Sequence, residues 1–180
     1  MKKLLILLSL TFAFGQDMLS EADKQATKLD KILSASNTVK FYNYDLGTVK
    51  QSYGAKLECE LKKLIAVNST SYFLQITKRN EYSNSVANIA EEDLDNLIEG
   101  LSALKSELPS DLQTDSNYME NKYITEDGLY IGYMVNKGQP TWFMKLEKYG
   151  SNSTAFIRNI DDLESIFNKA KSKIKELQLN

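Results

Sequence analysis

The sequence predicts an α+β fold in which helices cover one face of antiparallel sheet, and three observations carry that expectation. Short apolar–polar alternations with a period of two fill much of the chain, and turn residues bound each of them. Two long stripes at helical spacing, Leu94 to Leu108 and Leu163 to Leu177, each follow a set of such runs. The order of strands followed by a helix then occurs twice, so both helices are expected on one side of the strands.

The chain begins with Met1-Lys2-Lys3, an unbroken apolar run from Leu4 to Leu8, and further mostly apolar residues to Phe14. Charge, then a short apolar stretch, then small residues at Ala13 and Gly15 describe a secretory signal peptide. The stretch is shorter than the roughly 20 residues that span a bilayer. Residues 1–15 are therefore expected to be removed, leaving 16–180 as a single mature domain, periplasmic or secreted, with no integral membrane segment.

Within the mature chain, Ser20 followed by Asp23 reads as a capping box. Ala22, Ala26, Leu29, Ile32 and Leu33 then predict a helix over 20–34, with Lys24, Lys28 and Lys31 outward. From Asn37 the period becomes two. Leu57, Cys59 and Leu61 alternate with Glu58, Glu60 and Lys62; after a turn at 68–70 come Tyr72–Thr77 and Ser85–Ile89. Glu91-Glu92-Asp93 suits the positive end of the next helix, and Pro109 is expected to end it. These residues, 37–108, form the first unit, and 109–118 reads as a linker.

The second unit, 119–180, repeats the plan. Turns at Glu126-Asp127-Gly128 and Asn136-Lys137-Gly138 bound a strand over Leu129–Val135. Strands at 141–146 and 153–157 follow, and Asn159 caps the last helix. Tyr72-Phe73-Leu74-Gln75-Ile76-Thr77-Lys78 aligns with Trp142-Phe143-Met144-Lys145-Leu146-Glu147-Lys148. Asp93-Leu94-Asp95-Asn96-Leu97-Ile98 aligns with Asp162-Leu163-Glu164-Ser165-Ile166-Phe167 at nearly the same offset. Order and spacing together predict an internal duplication. In outline this is similar to the two-fold saddle of TATA-binding-protein-like folds, a likeness of shape alone.

Composition excludes more than it identifies. The whole chain has a formal net charge of −2 and the mature part is more acidic, since the leader takes two lysines with it. Arg79 and Arg158 are the only arginines. Such a chain lacks the basic footprint that nucleic acid requires. There is no histidine, which removes the commonest general base and the commonest transition-metal ligand. The single cysteine, Cys59, cannot close a disulfide within the chain and reads as a small buried hydrophobe. The acidic groups Glu91/Glu92/Asp93 and Asp161/Asp162/Glu164 are accounted for by helix N-termini and lack the spacing of a calcium loop. No phosphate loop or nucleophile elbow is present, and no cofactor is implied.

The candidate site is the sheet face turned away from the helices. If Leu129, Ile131, Tyr133 and Val135 point inward with Trp142, Met144 and Leu146, then Phe73, Phe143, Tyr130, Met134 and Tyr149 point out. Exposed aromatics in one patch mark a binding surface. The expected function is thus an exported, non-enzymatic binding module for an unknown protein or small ligand of the envelope. The alternatives are a histidine-free enzyme using Tyr, Lys or carboxylates such as Glu58 and Glu60, and an assembly protein that pairs through a sheet edge.

Overall fold

The structure is a computed structural model that describes residues 26–67, 69–81, 83–147 and 152–179. A short helix α1 (Lys28–Ser34) precedes four strands, β1 (Val39–Val49), β2 (Leu57–Ala66), β3 (Ser69–Arg79) and β4 (Asn84–Ala90). Helix α2 (Glu91–Asp111) leads to β5 (Tyr118–Ile124), β6 (Tyr130–Asn136), β7 (Gln139–Lys145) and β8 (Thr154–Phe156), and α3 (Ile160–Gln178) ends the described chain. The class is α+β with antiparallel strands. The strands divide into two sheets, ordered β1-β2-β3-β4 and β5-β6-β7-β8, where a saddle would have one continuous sheet. A bridge between Gln51 and Ile157 joins them, with Ser52 N–H donating to Phe156 O at 2.8 Å.

Local chemistry explains most boundaries. Lys137 and Gly138 both have positive φ (49° and 75°), the pair of left-handed residues that a tight hairpin between β6 and β7 demands. The Asn159 side chain accepts from Asp161 N–H at 3.2 Å and caps α3. Helix α2 has no side-chain cap at Ala90, and the acids of its first turn offset its dipole instead.

Three expected boundaries shift. Helix α2 passes through Pro109 to Asp111, because a proline in the last turn forfeits only one bond, and Leu112 N–H still closes on Leu108 O at 3.0 Å. Helix α1 begins at Lys28, since Thr27 is extended and forms a capping box with Asp30. The box expected at Ser20–Asp23 lies outside the described residues. Strand β5 starts at Tyr118, inside what reads as linker. Its inward set is Met119, Asn121 and Tyr123, and the polar Asn121 hides the period. Asn121 Nδ2 donates to Glu107 at 2.6 Å and to the Tyr133 hydroxyl at 3.2 Å, so its polarity is satisfied where it sits.

One contiguous core joins both sheets and both long helices. It holds Leu57, Cys59, Leu61, Leu74 and Ile76 of the first sheet with Ile131, Tyr133 and Met144 of the second. Leu94, Leu97 and Leu101 of α2, and Leu163, Phe167 and Ala170 of α3, complete it. Trp142 packs on its margin, edge-on to Tyr133 with ring centroids 4.9 Å apart.

Burial pushes the Cys59 thiol up to about 12, with Asp45 adding to it. The folded chain thus holds a proton that the unfolded chain releases near pH 9. Stability from this site is complete below about pH 9 and is lost as pH rises toward 12. In denaturant titrations at pH 8 and pH 11, the wild-type protein is expected to lose roughly 2 to 3 kcal/mol more than Cys59→Ala over that interval. Equal losses in both proteins would assign the alkaline effect to other groups.

Candidate functional site

The outer face of the second sheet follows from the register. With Ile131, Tyr133 and Val135 of β6 in the core, Tyr130, Gly132 and Met134 turn the other way. On β7, Met144 is inward, so Thr141, Phe143 and Lys145 face out. Across the four strands Lys122, Gly132, Phe143 and Phe156 form one row, and Ile124, Tyr130, Lys145 and Thr154 the next. Glycine at 132 is required because a Cβ there would collide with the Asn121 carbonyl and the Lys122 side chain.

Phe143 therefore stands in the ladder between a residue with no side chain and another aromatic. It is only 6% exposed, which corrects the expectation of an open ring. Tyr130 and Met134 are half-buried, and Tyr118 and Ile124 of β5 expose about half their surface on the same face. Lys122 and Lys145 hold their ammonium groups 5.7 and 5.5 Å from the Tyr130 ring centre. Lys122 also pairs with Glu120 at 2.8 Å. Tyr149 lies outside the described residues.

Phe73 has a different fate. It is 2% exposed, on the side of the first sheet away from the main core, in a second cluster with Leu64, Ala66 and Ala90. Leu29 and Ile32 of α1 pack on that cluster with Val39. Phe73 and Phe143 thus belong to different sheets, and no single open face holds both. Period-two alternation identified the side each ring occupies, but not the helix that closes over one of them.

Lys28, expected to face solvent, fastens that helix. Its Nζ lies 2.6 and 2.7 Å from the two Asp93 oxygens, 3.5 Å from Glu92 and 3.8 Å from Glu126. Its backbone N–H donates to Asp127 at 3.1 Å. Burial acts to lower the Lys28 pKa, but the Asp93 hydrogen bond and the surrounding carboxylates outweigh it and raise the pKa above the usual lysine value. Burial pushes the Asp127 carboxyl above its ordinary range, against the pull of Lys28.

The other acids that could suggest chemistry are also engaged. Lys105 lies 2.7 Å from both Asp161 and Glu164. Arg79 grips Glu58 in a fork with two 2.7 Å bonds, and that hydrogen bonding holds the Glu58 carboxyl below the usual range. Among the described residues, no three potential metal ligands of the His, Cys, Asp or Glu type come together. An open groove of about 570 Å³ lies between β1 and α3, walled by Asp45, Leu46, Asn168, Lys169 and Lys173. Lys173 there is paired with Glu176 at 2.6 Å and sits 5.3 Å from the Tyr44 ring centre. No helix among the described residues is long and apolar enough to cross a membrane. No family model matches the chain, and neither a curated protein nor a solved structure does.

Closure of α1 over the first sheet gives a direct expectation. Phe73→Ala should destabilise the protein by about 3–5 kcal/mol in chemical denaturation, the range for deleting a buried large aromatic. A loss near 0.5 kcal/mol, as at open surface positions, would mean that α1 does not cover this ring.

Proposed function

We propose that the mature chain is an exported, non-enzymatic module that binds a protein or small ligand of the cell envelope through the outer face of its second sheet. The observation that carries this reading is an asymmetry. The outer apolar cluster of the first sheet lies under α1, whereas no described helix covers Tyr130, Met134 and their neighbours on the second. A tyrosine flanked by Lys122 and Lys145, with Met134 on the same face, suits a partner that offers both apolar and acidic groups. The leader at residues 1–15 supports export.

Duplication is part of the proposal. Tyr72, Leu74 and Ile76 lie on the third strand of one sheet, and Trp142, Met144 and Leu146 on or just beyond the third strand of the other. The aligned pairs Leu94 with Leu163 and Leu97 with Ile166 are buried on α2 and α3. Against the enzyme reading stands the pairing of Glu58 with Arg79, since a carboxyl held ionised makes a poor proton donor.

The test compares the mature protein with Tyr130→Ala/Met134→Ala, each immobilised and exposed to solubilised native envelope. Partner capture should weaken by roughly 30-fold, equivalent to about 2 kcal/mol, with little change in melting temperature. Undiminished capture by the folded double variant would remove this face from the account.

A further inference from the structure

Two four-stranded sheets have four edges, and three of them are blocked or blunted. On β4, Val86 N–H donates to the Glu147 carboxylate at 2.9 Å. On β8, Lys78 Nζ covers the Asn152 and Thr154 carbonyls at 2.8 and 2.7 Å, and the Phe156 carbonyl takes the Ser52 N–H. Strand β5 is shorter, at seven residues, and its outward Glu120 and Lys122 pair with each other at 2.8 Å, so they offer an added strand no unpaired charge. The fourth edge, β1, has eleven residues and pairs only with β2 over Val39–Asp45 among the described residues. Lys40 to Asn43 are all exposed, with Phe41 and Tyr42 each at 47%. A bulge at Leu46, where Asp45 accepts from Gly47 N–H at 2.8 Å, marks the end of this straight stretch.

Around Lys40–Asn43 the charges are all positive, and the acids Asp45 and Glu60 lie opposite each other at the bulge end of the stretch. Lys63 lies opposite Tyr42, on the same face as Lys40; Lys62 lies opposite Asn43, on the face of Phe41. Lys62 and Lys63 approach the rings of Phe41 and Tyr72, at 5.7 and 5.9 Å, and no ion pair engages any of the three lysines among the described residues. We infer that the β1 edge over Val39–Tyr44 takes an extended acidic segment of a partner protein as a fifth strand. Main-chain bonds would supply affinity, and the lysines and two aromatic rings would select acidic and apolar side chains on alternate positions. A second copy of this chain is disfavoured as the occupant, because antiparallel self-pairing brings the lysines of both edges together. This surface is separate from the outer face of the second sheet.

The test uses the mature chain and an array of ten-residue peptides with Asp or Glu alternating with Val, Ile, Thr, Phe or Tyr, beside a matched Lys/Arg array. The acidic array should bind and the basic one should not. Affinity for the best acidic peptide should fall at least ten-fold in Lys40→Glu/Lys62→Glu and stay unchanged in Tyr130→Ala/Met134→Ala. N-methylation of one alternate set of peptide amides should abolish binding, while methylation of the other set should spare it. That last pair uses the wild-type protein, so it decides even if the lysine variant folds poorly. Absence of acidic preference, or indifference to both methylation patterns, would overturn the inference. Concentration-dependent dimerisation that competes with the peptides would assign the edge to a second copy instead.

Discussion

Each four-stranded sheet has an apolar face too large to leave in water and too wide for its own following helix to cover alone, and the fold answers by crossing the partners. Helix α2 follows the first sheet yet lies against β5 and β6 as well as β3 and β4, while α3 follows the second sheet and lies against β1, β2 and β3. The helices also pack on each other. Leu97 and Leu101 from one, and Leu163, Phe167 and Ala170 from the other, are buried in the same cluster as both sheets. Every other feature depends on that shared core. It sets which strand faces remain outside, and therefore which residues are available for recognition.

What lies outside is treated unequally. On the first sheet, β2 changes its buried side partway along. Leu57, Cys59 and Leu61 face the helices, whereas Leu64 and Ala66 face away and require a cover of their own. Helix α1 is that cover, and a seven-residue helix would not persist alone in water. Its capping box and the Lys28 contacts with Asp93 and Asp127 hold it in place. Lys28 and Asp93 are largely shielded from solvent, so removing either partner would leave a poorly compensated charge. The second sheet has no matching helix among the described residues, and Gly132, in the same row as Phe143, leaves room there for the Asn121 carbonyl and the Lys122 side chain.

Much of this plan was legible in the sequence, for reasons that differ by element. The β6–β7 hairpin could be read because Lys137-Gly138 names its turn and Ile131, Tyr133 and Val135 alternate cleanly. Helices α2 and α3 could be read from wide apolar stripes and from acids in their first turns. Strand β5 could not, because Asn121 occupies an inward position through a hydrogen-bond network built with Glu107, Asp111 and Tyr133. For Phe73 and Phe143 the alternation gives the correct side of each strand but not the exposure, since both rings are buried. Alternation reports which residues share a face, whereas exposure depends on what packs there. The Lys28 anchor joins residues 65 and 99 positions apart, beyond the reach of any local pattern. Which strand edges stay open was equally hidden, since the plugs on β4 and β8 are also long-range contacts.

Native-state hydrogen exchange tests the shared core most directly. If α2 and α3 bind both sheets into one cooperative unit, the slowest amides of β3, around Leu74, and of β7, around Met144, should exchange at the same free energy. Both should respond to low denaturant with the same steep slope, through global unfolding alone. A second sheet whose amides exchange through a separate opening, at lower free energy and with a shallower slope while β3 stays protected, would contradict the account.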